Sequence, residues 1–82
     1  MLHYPAKIVE NSDRKDGGFL VSFLDFDNIQ TFGETMEEAL YMAEDALNGC
    51  IEVDFERGYE IPSPSEAKGL GVHAIPVYPH IS

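Results

Sequence analysis

Basic residues are scarce in this sequence. Five Lys and Arg stand against fifteen Asp and Glu in 82 residues, for a net charge of −10. The imbalance is also local: twelve of the fifteen acids lie between Asp25 and Glu66, a stretch whose one basic residue is Arg57. Such a field repels phosphate backbones, which argues against direct nucleic-acid binding by this portion; it would steer in a basic partner, or else the acids serve only to keep a small protein in solution. Cysteine is nearly absent. A lone Cys50 cannot form an internal disulfide and suits a reducing compartment. No run approaches the roughly 20 apolar residues of a membrane span. The N-terminal MLHYPAKIVENSD lacks the basic-then-apolar order of a signal peptide, so the expected location is the cytoplasm. There is no repeat and no low-complexity tract.

The residue sets that carry chemistry are missing as well. His3, His73 and His80 lack the spacing of metal ligands. Cys50 has no histidine nearby in sequence and falls on an apolar stripe, which reads as a buried structural thiol. Gly17-Gly18 and Gly69-Leu70-Gly71 are not followed by the Lys-Ser/Thr of a phosphate loop. A two-metal nuclease needs carboxylates converging on one point, with metals about 3.5–4 Å apart. Asp25 and Asp27 in one turn, with Glu34 and Glu38 near the next, make only a loose cluster, and the first strand has no central acid. The expectation is a binding module with no catalytic residue, metal or cofactor; a metal-dependent nuclease using the acidic turn is the rival reading.

An apolar fraction of 44%, with 11% aromatic, is enough for one packed core, so residues 1–82 are expected to form a single small domain. Leu2–Glu10 reads as a strand, with Pro5 suggesting an edge or irregular start. A polar turn over Asn11–Gly18 ends in the hairpin signal Asp16-Gly17-Gly18. Phe19–Leu24 follows as a strand with Phe19, Val21 and Phe23 on one face. Leu20, Ser22 and Leu24 lie on the other, which is apolar enough to want cover from a helix or a second subunit. A turn over Asp25–Asn28 and a third strand over Ile29–Gly33 complete an antiparallel meander. Thr35 with Glu38 three residues on is the spacing of a capping box. After it Met36, Ala39, Leu40, Ala43, Ala46, Leu47, Cys50 and Ile51 form one apolar stripe, opposite Glu37, Glu38, Glu44, Asp45, Asn48 and Glu52. Gly58 is the natural stop. Beyond the proline segment Ile61-Pro62-Ser63-Pro64-Ser65, a short helical turn is expected within Glu66–Gly71 and a last strand over Val72–Tyr78. The class is α+β.

The run GGFLVSFLDFDNIQTFGETMEEALYMAEDAL, with YPA near the start and IPSPS downstream, resembles the N-terminal domain of the HicB antitoxin family. Tyr4, Pro5, Gly17, Gly18, Ser22, Phe23, Asp25, Thr31, Gly33, Thr35, Glu38, Ala39, Ile61, Pro62, Pro64 and Ser65 match the family pattern in order. The pieces are individually weak, but their order and spacing over Tyr4 to about Tyr78 are specific. The resemblance implies a partial RNase H-like fold: a three-stranded meander, a long helix packed on it, and a final strand at the sheet edge. Gly17, Gly18, Thr35, Glu38, Pro62 and Pro64 take structural roles in that picture.

The resemblance also implies a function, that of an antitoxin of a type II toxin–antitoxin system. HicB proteins neutralise HicA, a small basic RNA-cleaving toxin, and occlusion of its RNA site is the expected mechanism. Carboxylates standing where phosphates would sit suit that task. The residues expected at the contact are Asp25, Phe26, Asp27 and Glu34, an aromatic anchor inside a charged rim; for Phe26, packing into the core is the favoured alternative. A homo-oligomer, dimer or tetramer, is expected because the sheet has edges and Leu20 and Leu24 need cover. Two departures stand out. Many members carry Pro-Asp-x-Pro-Gly where this chain has Leu24-Asp25-Phe26-Asp27-Asn28. Many also continue into a DNA-binding helix-turn-helix or ribbon-helix-helix domain, whereas this sequence stops at Ser82; it is either a fragment or one of the single-domain members. An orphan binding domain with a non-toxin partner is the remaining alternative.

Overall fold

The computed structural model describes residues 2–12 and 17–78. Four strands and one helix follow in the order β1 (His3–Glu10), β2 (Phe19–Phe23), β3 (Gln30–Gly33), α1 (Met36–Arg57) and β4 (Val72–Pro76). The strands form one antiparallel sheet in the order β3-β2-β1-β4, with α1 packed on one face. This is the expected meander and helix, with the last strand at an edge.

Alternation along the strands selects the core. Tyr4, Ala6 and Ile8 from β1, Val21 and Phe23 from β2, and Ile75 from β4 turn toward the helix, which answers with Ala39, Ala43 and Leu47 at successive steps of four. Met36, Leu40, Cys50 and Ile51 pack at the margins of this core. Small residues on the helix bring it close to the sheet, and Gly33 makes the closest approach. A Cβ on Gly33 would lie 2.3 Å from the backbone nitrogen of Ala39. The Gly-Glu-Thr step therefore serves the junction between β3 and the first helical turn.

The helix ends as its sequence dictates. Thr35 is extended and its hydroxyl accepts from Glu38 N–H at 3.0 Å, while Gly58 closes the other end in the left-handed conformation (φ 73°). The capping box is displaced by one residue. The Glu38 carboxylate reaches back to the N–H of Glu34, at 3.3 Å, so it secures the approach to the helix.

Three expectations are corrected. Pro5 does not mark an edge: β1 is the strand flanked by both β2 and β4. The register explains why this is tolerated. Leu24 N–H donates to the carbonyl of Pro5, so the face of Pro5 that lacks an N–H lies opposite Leu24, one residue past the end of β2. The proline thus removes a ladder bond only where the ladder is ending.

The short helical turn expected within Glu66–Gly71 does not form; the chain there is irregular and ends in a turn closed by Val72 N–H to Gly69 carbonyl. Gly69 and Gly71 sit at φ 106° and 75°, outside helical space, and Leu70 is fully exposed, so no apolar stripe drives a helix. Asn48 is not on the solvent side of α1. It is half-buried and bonded to the end of β4: its side-chain oxygen accepts from Tyr78 N–H at 2.9 Å and its Nδ2 donates to Pro76 carbonyl at 3.1 Å.

At the first hairpin, Asn11 N–H donates to Gly18 carbonyl at 2.8 Å, and Gly17 and Gly18 both have positive φ. Gly18 also lies beneath the Phe32 ring, whose nearest atom would be 2.4 Å from a Cβ at that position. Asp16, Arg14, Lys15 and His80 lie outside the described residues.

Candidate protein-docking surface

Three of the sequence motifs meet at one end of the sheet. Tyr4, buried in β1, sends its hydroxyl across to donate to Pro62 carbonyl at 2.6 Å. The turn after β2 carries Phe26, which is also buried; its ring packs 5.1 Å from that of Tyr4 and edge-on to Phe23 at 6.4 Å. Beside it, Asp25 accepts from Ser65 with both carboxylate oxygens, from the N–H at 2.8 Å and from the hydroxyl. Tyr-Pro, Asp-Phe-Asp and Ile-Pro-Ser-Pro-Ser therefore make a clasp that fastens the proline segment against the sheet. Proline suits such a strap, because it loses little freedom on being fixed and has no N–H to leave unpaired. Burial of Tyr4, and second the nearby Asp25 charge, raise its phenol above the ordinary value, so the hydroxyl stays a donor.

This places the four residues expected at a contact. Phe26 faces the core, where it cannot anchor a partner. Asp25 is half-buried and committed to Ser65, whereas Asp27 and Glu34 are exposed. The acidic turn is a structural joint with an acidic rim. Among the described residues no three His, Cys, Asp or Glu side chains gather so as to hold a metal ion. Cys50 packs at the core margin with its Sγ 3.7 Å from Asp54 Oδ2, and burial first, then that carboxylate, pushes its thiol pKa up. It is a poor nucleophile there.

The exposed side of α1 is where charge and apolar surface coincide. Tyr41 is 66% exposed in the second turn of the helix. Helical spacing surrounds it with Glu37, Glu38, Glu44 and Asp45, three and four residues away on either side. Thr35, Glu37, Glu38 and Tyr41 line a shallow open depression. An exposed tyrosine among carboxylates is the kind of side chain that interfaces favour, large, stiff and able to hydrogen-bond. Tyr41 belonged to neither the apolar stripe nor the acidic set in the sequence; its spacing from four acids is the signal that could have found it.

A family profile described as "HicB_like antitoxin of bacterial toxin-antitoxin system" matches residues 3–77. The chain belongs to the HicB-like antitoxin family. Individual members bear this out. "Antitoxin HicB 2" of Photorhabdus laumondii is 39% identical over 75 residues, covering 92% of this chain and 50% of that protein. "Antitoxin HicB 1" of the same organism is 48% identical over 50 residues, 61% of this chain and 32% of its own length. "Antitoxin HicB" of Escherichia coli is 38% identical over 64 residues, 78% of this chain and 44% of its own. The chain thus spans half or less of the length of these curated relatives. In this HicB-like fold, both the clasp and the acidic helix face fall within the matched region.

Proposed function

We propose that this chain is the toxin-binding part of an antitoxin in a type II toxin–antitoxin pair. Its partner in this reading is a small basic RNA-cleaving protein of the HicA kind, whose RNA site it covers. The observation that carries the proposal is the outer face of α1, where Tyr41 stands exposed among Glu37, Glu38, Glu44 and Asp45 in a chain of net charge −10. A surface that must occupy an RNA site gains by presenting carboxylates at phosphate positions. Asp27 and Glu34 extend the acidic surface, and Asp25 holds the turn that bears Asp27. The action is occlusion, with no bond made or broken, in the cytoplasm and without direct contact to nucleic acid by this portion. A homo-oligomer presents the acidic face more than once.

The test looks for a small basic reading frame beside this one and uses its product. Co-expression should rescue growth and co-purify the two, and added chain should stop RNA cleavage by the purified partner at stoichiometric ratio. Tyr41→Ala should weaken binding about tenfold or more with the fold intact, as truncation of an aromatic anchor does. Failure of the neighbour to bind, or cleavage that continues in the bound complex, would overturn the reading.

A further inference from the structure

Aromatic side chains divide by side of the molecule as the charges do. Among the described residues the exposed aromatics are Tyr41, Phe55, Tyr59 and Tyr78, and all four stand along α1. Tyr41 and Phe55, the latter 77% exposed, belong to the helix itself. Tyr59, 59% exposed, follows the Gly58 cap, and its N–H donates to Asp54 carbonyl at 2.9 Å, which fixes its backbone at the helix end. Tyr78 is laid against the helix between Tyr41 and Phe55, its N–H given to Asn48 and its hydroxyl to Glu44. Carboxylates alternate with these rings. Tyr41, Asp45, Glu52 and Phe55 succeed one another at helical spacing on the side away from Ala39, Ala43 and Leu47, and Glu56 and Glu60 are exposed beyond them. About 21 Å of helix separates Tyr41 from Phe55, at 1.5 Å per residue. On the far side of the sheet the outward strand positions, Lys7, Val9, Leu20, Ser22, Gln30 and Ala74 among them, carry neither an acid nor an exposed aromatic.

We propose that this row imitates a single nucleic-acid strand and is gripped by arginine side chains of a protein partner. The rings of Tyr41 at one end, and of Phe55 and Tyr59 at the other, stand in for bases, and the carboxylates between them for phosphates. The inference deepens the toxin-binding reading and rests on it for the identity of the partner. Proteins that hold single strands combine a cationic groove with planar groups on which bases stack. Arginine supplies both, because its guanidinium lies flat on a ring while its edge forks to a carboxylate. Carboxylates alone suit lysine as well; rings set among them favour arginine. Other occupants fail on charge. A second copy brings its own acids, RNA its phosphates and a membrane its anionic headgroups, and Glu37, Glu38, Asp45, Glu52 and Glu56 repel each of them. The rings are also held ready. Helix backbone fixes Tyr41 and Phe55, the cap and the Pro62 clasp bracket Tyr59, and two bonds to α1 seat Tyr78, so little freedom is lost when a partner stacks on them.

The test is an NMR titration of the chain, without any toxin, against two peptides of equal length and charge. One carries an arginine pair at each end with four glycines between, and the other has lysine in place of arginine; extended, each reaches about 26 Å, enough to span both anchors. The arginine peptide should bind about fivefold more tightly than the lysine one, and should shift the ring signals of Tyr41 and Phe55 together. Phe55→Ser should cut that preference to about twofold or less while circular dichroism is unchanged. Tyr59→Ser gives the same result should Phe55→Ser cost the fold. Leu70→Ser, a fully exposed apolar residue off the row, should alter neither peptide's binding. Equal affinity for the two peptides, a Phe55 ring that does not respond, or a preference that survives both serine variants would each overturn the proposal. The toxin reading fails differently. If the neighbouring basic protein does not bind while the arginine preference holds, that reading falls and the row stands. If that protein binds the Phe55→Ser and Tyr59→Ser variants as tightly as the parent chain, the row falls and the toxin reading stands.

Discussion

Tyr4 ties three levels of the molecule together through a single oxygen. Its ring lies in the core against Phe26, and its hydroxyl holds Pro62. Because burial and Asp25 raise its pKa in the folded state, the folded protein binds that proton more tightly than the unfolded chain. The contribution is complete below the unfolded value of about 10 and is lost as pH rises through the higher folded value. Urea titrations from neutral to strongly alkaline pH should show stability level with respect to this group and then falling. Tyr4→Phe should be about 1 kcal/mol less stable at neutral pH, from the lost bond to Pro62, and should fall less steeply in alkali. Of this clasp, the sequence exposes the parts but not the joint. Tyr4, Asp25, Pro62 and Ser65 are recognisable as a pattern, but which hydroxyl meets which carbonyl depends on a chain returning after more than fifty residues. Phe26 shows the same limit, because a turn aromatic beside two aspartates reads as an anchor or, slightly better, as core. Only the ring of Tyr4 beneath it decides.

Among the elements, α1 was the most legible. Its cap, its stripe and its stop are local features, and Met36–Arg57 follows from them directly. Gly49 interrupts nothing: a Cβ there meets no atom within 4 Å, and its φ is not positive. Gly49→Ala should therefore stabilise the protein by about 1 kcal/mol, seen as a rise in Tm of about 4–8 °C for a domain of this size. Asn48, its neighbour, should respond in the opposite way. Its side chain bonds Pro76 carbonyl, Tyr78 N–H and, at 2.8 Å, Glu44 carbonyl. Asn48→Ala should cost about 2 kcal/mol, and amide exchange should speed up at Tyr78 before it does in β1. This role escaped the sequence because helical spacing alone sorts Asn48 with the acids. Its partner strand arrives 28 residues later. Pro5 misled for a related reason, since a proline argues for an edge only until the register shows which side its missing N–H faces.

For the whole molecule the main fact is the separation of its surfaces: an acidic helix face, a carboxylate-free sheet face, and a core between them. Charge was plain in the sequence, as was the family. The partition by face was not, since it requires knowing that α1 covers one side of the sheet and not the other. Association with a basic partner through the helix face should be steered by the net charge of −10. In stopped-flow measurements the on-rate should fall tenfold or more between low and moderately high salt, while the dissociation rate changes far less. Equal effects on both rates would assign the attraction to a few short-range pairs.

Asn48 has a further consequence, for growth of the sheet. Along the open side of β4, the N–H of Val72 is given to Gly69, Pro76 has no N–H and its carbonyl is taken by Asn48, and the N–H of Tyr78 is given to Asn48 as well. An incoming strand finds Ala74 flanked by groups already engaged. A filament built edge to edge needs two free edges on every copy, one to receive and one to offer. With β4 sealed by a side chain from the helix, strand addition along that edge is blocked. One asparagine thus sets a ceiling on assembly, and a chain that loses it gains a route to open-ended polymers.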